Sequence, residues 1–277
     1  MKKFIYPLFI SAWLLLGISV VESSKLYRKE PILSSLVSQT QVTPIIPTQT
    51  WSYIGNTGPI HWGELDPTYS ACSVGITQSP ININFAQVKK LNHIKGGLQI
   101  HYEPVPFTIE NTGFTIQANP TNSSSYILLG GNKYILKQFH FHTPSEHQFN
   151  GQSKEMELHF VHQNEYGKIV VIGLLMKEGS ENVTLESIWK VMPKELSTQT
   201  LLLEKPINLL ALLPQVQSYF YYHGSLTTPP CSEGVQWIVF EKPIELSLSQ
   251  IQDFRRVFPD NHRPIQPLNG RDIHLIQ

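Results

Sequence analysis

The 277-residue chain predicts one β-rich domain with short surface helices over residues 51–277. Three observations carry that expectation. Short runs of β-branched and aromatic residues recur between turn residues, as strands do. Two of the turns join matching runs in the manner of hairpins. Helical periodicity is scarce, and 20 prolines interrupt what there is.

In order, Trp51 to Trp62 (WSYIGNTGPIHW) is aromatic and turn-rich and reads as a packed N-terminal flap. Gln78-Ser79-Pro80 marks a turn before the apolar run Ile81-Asn82-Ile83. Strand-like segments follow at Leu98 to Tyr102, Pro106 to Ile109 and Phe114 to Ala118. Gly130-Gly131-Asn132-Lys133 joins Tyr126 to Leu129 with Tyr134 to His142. Asn164-Glu165-Tyr166-Gly167 joins Met156 to His162 with Ile169 to Met176, and this last run is continuously apolar, as a strand buried on both faces is. Thr184 to Val191 and Leu209 to Leu213 read as short helices. Ser247 to Phe258 is the clearest helix, with Ser247 and Gln250 spaced as a capping box. Trp237 to Phe240 is a late strand. No internal repeat is present and no linker divides residues 51–277.

Met1-Lys2-Lys3 followed by an apolar run from Phe4 to Val21 reads as a secretory signal over residues 1–23. Cleavage falls near Ser23 or Ser24, or the run stays as an uncleaved anchor, for which it is long enough. A membrane is a partner only in the second case. Both readings export the body of the chain, to the periplasm or beyond. Residues 24–50, rich in Ser, Thr, Gln and Pro without periodicity, read as a flexible linker. Basic and acidic residues balance at 21 each, so no electrostatic case exists for nucleic acid. Cys72 and Cys231 are the only cysteines. They are either a disulfide or two buried thiols, and export together with the lack of a C-x-x-C pattern favours the disulfide.

The chemistry concentrates between Lys137 and Gln163 (KQFHFHTPSEHQFNGQSKEMELHFVHQ). His140 and His142 alternate, so on a strand they share a face, and His159 follows in a second alternating run. If the two runs pair, three imidazoles converge. Three neutral imidazoles with an open fourth position make a catalytic zinc arrangement. Alternation alone also suits core histidines; what points to metal is the company. Gln138 stands two residues before His140 and Glu157 two before His159, where each can take the free imidazole N–H. A second segment, Ser225-Leu226-Thr227-Thr228-Pro229-Pro230-Cys231, is stiffened by proline. A threonine there can accept a proton from the nucleophile if its own hydroxyl is committed to a buried carboxylate, and Glu146 is the obvious one. The same residues also suit a rigid turn.

FHFHTPSEH, ELHFVH, GSLTTPPCSEGVQW and NHRPIQPL, preceded by WSYIGNTGPIHW and ITQSPINI, resemble an α-class carbonic anhydrase from about Trp51 to the C-terminus. The resemblance implies a large, twisted, mostly antiparallel sheet with Zn(2+) in a conical cleft. It implies zinc on His140, His142 and His159, and reversible hydration of carbon dioxide to bicarbonate and a proton by attack of zinc-bound hydroxide. Thr227 would orient that hydroxide and Glu146 would take the threonine proton. Gln138, Glu157 and Asn261 would brace the zinc ligands, Asn261 through its backbone. Val161, Val171, Leu226 and Trp237 would form the apolar wall for carbon dioxide, with Thr228 on the wetter side. Cys72 and Cys231 would be the disulfide of exported members.

One position departs from the pattern. Phe114 stands where the most active members carry a proton-shuttling histidine, so proton transfer is expected to limit turnover. His61, His93, His101 and His223 are candidate replacements. His162 is expected to face away from the site, His147 to hydrogen-bond in the core around Glu146, and His262 and His274 to be structural or exposed. Two other function classes stay in view: an acatalytic binding module on the same fold, which the intact ligand set opposes, and an ester hydrolase, for which the small apolar pocket offers no recognition group.

Overall fold

Alternation of buried and exposed side chains along the chain produces a wide sheet. The computed structural model describes residues 51–94, 96–196, 200–216 and 218–277. The segments read as signal and linker, 1–23 and 24–50, lie outside the described residues. In chain order the strands are β1 (Asn82–Ile83), β2 (Lys89–Leu91), β3 (Leu98–His101), β4 (Val105–Asn111) and β5 (Ile116–Pro120). Next come β6 (Tyr126–Leu129), β7 (Asn132–His142), β8 (Gln148–Phe149), β9 (Met156–Gln163) and β10 (Ile169–Glu178). The last five are β11 (Leu201–Ile207), β12 (Tyr219–Ser225), β13 (Glu233–Phe240), β14 (Ile244–Leu246) and β15 (His274–Ile276). The helices are short: α1 (Trp62–Leu65), α2 (Ala71–Val74), α3 (Glu186–Val191) and α4 (Leu248–Val257).

Thirteen strands form one mixed sheet whose main path runs β11-β4-β5-β7-β9-β10-β13-β12-β15-β2. Its pairings are antiparallel except β10 with β13, β10 with β14 and β15 with β2. Strands β1 and β8 pair separately, in parallel. The apolar run in β10 is buried on both faces, as expected. Val170, Ile172, Leu174 and Met176 enter a main core with Phe107, Phe139, Phe141 and Phe160. Val171 and Leu175 enter a smaller cluster with Ile81, Tyr222 and Trp237 on the other side.

The strong helix begins after Ser247, whose hydroxyl accepts from the Gln250 N–H at 3.3 Å while Gln250 Oε1 accepts from the Ser247 N–H at 3.1 Å. That is the expected capping box. Leu209–Leu212 closes as a 3-10 turn, and α3 is shorter than the expected segment. The aromatic flap packs as expected, with Trp51 and Trp62 buried against Cys231, although α1 starts at its last residue. Among the described residues no helix is long and apolar enough to cross a membrane.

Candidate metal centre

Strands β7 and β9 pair so that His140 stands opposite His159. With His142 two residues along β7, the three rings close on one another at centroid separations of 4.9, 5.3 and 4.6 Å. Each ring has one nitrogen engaged by an acceptor. His140 Nδ1 meets Gln138 Oε1 at 2.7 Å, His142 Nδ1 meets the Asn261 carbonyl at 2.7 Å, and His159 Nε2 meets Glu157 Oε1 at 2.9 Å. An acceptor at that nitrogen requires an N–H there, which leaves the lone pair on the other. One ligand atom from each ring lies within 4.8 Å of the other two, and His142 Nε2 is buried without any hydrogen-bond partner.

The electrostatics favour neutral ligands. Burial first, then His142 and His159, holds the His140 pKa well below its ordinary value. Burial brings His142 down to about 4 and also lowers His159, against the pull of Glu157. Three neutral, oriented imidazoles with an orphaned inward nitrogen fit a zinc ion.

Asn261 is fully buried and fully committed. Besides holding His142, its side chain accepts from the Thr143 N–H at 2.7 Å and donates to the carbonyls of Phe114 and Phe141, each at 2.9 Å. Glu146 is equally buried. Its Oε1 accepts the Arg263 backbone N–H at 2.8 Å, and Oε2 lies 3.6 Å from His142 Nε2 and 3.9 Å from His159 Nδ1. Burial raises the Glu146 pKa against the opposing effects of His159, the Thr227 hydroxyl and the Arg263 N–H. Thr227 and Glu146 are thus brought together beside the three histidines.

His147 hydrogen-bonds in the core, as expected, and the structure names its partners: its Nδ1 meets Glu157 Oε1 and its Nε2 meets the Tyr222 hydroxyl, both at 2.7 Å. Strand β9 carries Glu157 to that spot, and the turn after His142 brings His147 across it. Burial alone would raise the Glu157 pKa, but His147 and His159 override it and hold the carboxylate well below its ordinary range. His147, Glu157 and His159 also lie close enough to hold a metal. Both His147 nitrogens are spent, so this trio is a hydrogen-bonded network.

The apolar residues gather beside the imidazoles. Val171 and Trp237 are buried in the smaller core cluster, with Val161 and Leu226 packed against it, and the Trp237 ring lies 4.9 Å from that of His159. On the other side a cavity of about 190 Å³ opens from His140 and His142, lined by Gln138, Gln117, Thr228, Tyr53, Phe114 and Trp51 among others. Phe114 stacks on Trp51 at 3.7 Å between centroids and 7° between planes. None of His61, His93, His101 or His223 lines this cavity. Tyr53 does, with a phenol that burial, then Glu146 and Asp260, push well above its ordinary pKa. His162 faces away, bonded to the Tyr102 hydroxyl at 2.8 Å in the main core.

Two residues escaped the sequence reading. Tyr222 sits in an aromatic run that carries no visible chemical signal. Arg263 was legible only as part of the NHRP motif, yet its side chain is buried and donates to Gln78 Oε1, the Ser79 carbonyl and the Cys72 carbonyl at 2.8, 2.8 and 2.9 Å. It thereby ties Glu146 to α2, whose Cys72 is bridged to Cys231.

The family model described as eukaryotic-type carbonic anhydrase matches residues 57–277. This chain belongs to the carbonic anhydrase family. A carbonic anhydrase of a Nostoc species is 40% identical over 258 residues, covering 90% of this chain and 97% of the relative. The carbonic anhydrase of Klebsiella pneumoniae is 43% identical, covering 80% and 89%. Among solved structures, the α-carbonic anhydrase of Thermovibrio ammonificans, in complex with the inhibitor sulfanilamide, superposes with a TM-score of 0.77 at 45% identity, covering 81% of this chain and 98% of the other. The mixed sheet is therefore the α-carbonic anhydrase fold, and the three-histidine cluster lies on its central strands.

Proposed function

We propose that this chain catalyses the reversible hydration of carbon dioxide to bicarbonate and a proton on a zinc ion held by His140, His142 and His159, with residues 51–277 as the catalytic domain. The observation that carries the reading is the convergence of three imidazole nitrogens, one of them buried and unpartnered, beside the buried Glu146 carboxylate, whose Oε2 lies 3.6 Å from His142 Nε2. Zinc, when bound, supplies the Lewis acidity that makes water a nucleophile at neutral pH. The protein's own residues do the rest. Gln138, Asn261 and Glu157 fix the tautomer and direction of the three imidazoles. Thr227 gives its hydroxyl proton to Glu146 and so must accept from the nucleophile, which turns the nucleophile's lone pair toward the substrate. Val161, Val171, Leu226 and Trp237 offer carbon dioxide an apolar seat, which only has to position it, while Thr228 faces the wetter side.

Among the described residues lining the cavity, none is placed to take the released proton. Phe114 cannot titrate, and Tyr53 is held too high, so the proton leaves to buffer that enters the cavity. The disulfide supports an oxidising destination, periplasmic or secreted. Stopped-flow hydration of carbon dioxide by the zinc-loaded full chain across a buffer series tests the reading. Fast turnover that climbs with buffer is expected. Folded, zinc-replete protein without turnover overturns the enzyme and leaves a binding module.

A further inference from the structure

We infer that the groove between α3 and α4 binds a small amphipathic anion, an acid group on a short apolar tail, at a site separate from the metal centre. The groove is a cavity of about 270 Å³ whose lining includes Trp189, Lys190, Met192, Lys194, Asp253 and Arg256. That volume falls just short of the roughly 300–1,000 Å³ of most small-molecule sites, so its occupant is small. The groove lies behind β7, on the face away from the histidines. The Trp189 ring meets that of Phe141 edge-on at 5.1 Å between centroids, and Phe141 faces the main core.

The floor is apolar. Met192 is buried in the main core and Trp189 packs against it. The indole N–H of Trp189 is already spent on the Gln250 carbonyl at 2.7 Å, so its ring offers a ligand apolar surface alone. Met192 contributes an unbranched, polarizable side chain that repacks around irregular shapes. The rim is basic. Lys190 is matched by Glu186 at 2.6 Å and Arg256 by Asp253, while Lys194 has no anionic partner among the described residues. Both matched cations keep donors to spare, because an ammonium carries three N–H groups and a guanidinium five. Three cations therefore share two carboxylates, in a chain of zero net charge.

Charge complementarity selects the occupant. A neutral lipid would use the floor and leave Lys194 unmatched, and an inorganic anion would use the rim and leave the floor bare. An organic acid uses both. The neighbouring surface cavities lack this combination. The one at the turns before β7 and β10 sets Lys133 against Glu165 and so carries no excess of charge. The one on the other flank of α3 holds Glu186 with Lys190 and Lys205, and no aromatic ring is among its described lining.

Calorimetric titration of the full-length protein with octanoate tests the site. Acetate serves as the charge without the tail, and octanol as the tail without the charge. Because a carboxylate also ligates zinc, each titration is run on zinc-loaded protein and again after zinc removal. Octanoate is expected to bind in both states. Acetate and octanol are expected to bind about tenfold more weakly, since each keeps only one of the two contacts. Lys194→Glu, at an exposed position, is expected to weaken octanoate about tenfold by setting like charges together. In methyl NMR the Met192 signal is expected to shift with octanoate, while that of Met156, deep in the main core, stays. Binding that vanishes with the zinc, acetate or octanol that binds as tightly as octanoate, or full affinity in Lys194→Glu overturns the site. So does a Met192 methyl that does not move. None of these outcomes bears on carbon dioxide hydration, which the buffer series decides.

Discussion

Phenylalanine at position 114 does two things at once: it takes no proton, and its ring is stacked on Trp51 in the wall of the cavity. Replacing it with histidine keeps a planar ring that can hold the same stack and adds a group that titrates near neutral pH. Phe114→His is therefore expected to raise carbon dioxide hydration at low buffer by about tenfold, short of the 10²–10⁴ of a well-placed general acid or base, and to change little at high buffer. Stopped-flow rates at the two buffer extremes check this, and no rise at low buffer means that Phe114 is not the limit. The period of a strand made much of this site legible, because residues two apart share a face. That is why Gln138 could be set beside His140, and Glu157 beside His159, from the sequence. Contacts made by turns carry no period. Nothing in Ser145-Glu146-His147 says that His147 reaches Glu157 and Tyr222, and nothing in Arg263 says that its guanidinium spans to Cys72.

At the scale of the element, β7 is not one uniform strand. Tyr134 and Leu136 face the main core, and so do Phe139 and Phe141, so the facing parity changes between them. The ladder with β9 slips between Leu136 and Gln138, which makes Lys137 the extra residue of a bulge. A strict period of two through Tyr134 to His142 would place Leu136 on the face of the histidines; the bulge sends it to the core and leaves that face to Gln138, His140 and His142. Deleting Lys137 should let the strand run straight. The histidine end is pinned, since Asn261 holds both His142 and the Thr143 N–H, so the Tyr134–Leu136 end must turn outward. Exposing those two side chains is expected to cost about 3–6 kcal/mol at roughly 1.5–3 kcal/mol each, with one zinc still bound. Urea unfolding together with zinc content measures both, and loss of zinc at unchanged stability would mean the wrong end moved. Strand β12 escaped the sequence reading for a related reason. Tyr219 to Ser225 is mostly buried on both faces, so it lacks the polar alternation that marks a half-exposed strand. Strand β2 is exposed throughout and shows no pattern at all.

Acid should unfold the whole molecule, because its buried imidazoles lie on both sides of the sheet. His142 belongs to the cavity side and His162, bonded to Tyr102, to the main core. Burial lowers His142 to about 4 and His162 to about 3, whereas an unfolded histidine titrates near pH 6.5. Between those values the unfolded chain binds protons that the folded chain refuses. Stability from these groups is therefore fully present above about pH 6.5 and falls as the pH drops, by up to about 1.4 kcal/mol per pH unit for each histidine. Glu157, held low by His147 and His159 against its burial, acts in the same direction. Glu146, raised by burial, acts in the opposite one, since its folded form takes a proton first. Glu157 adds to the loss only below about pH 4.3. Between pH 7 and pH 4 it is His142 and His162, with the likewise lowered His140 and His159, that outweigh the opposing carboxyl, and the zinc-free chain is expected to lose several kcal/mol. Unfolding free energies from urea titrations at each pH unit give the slope, and the slope counts the protons taken up on unfolding. A slope above one proton near pH 5 requires more than one buried neutral imidazole. A flat profile from pH 7 to 5 would mean that the folded histidines titrate like exposed ones, which burial on both faces of the sheet forbids.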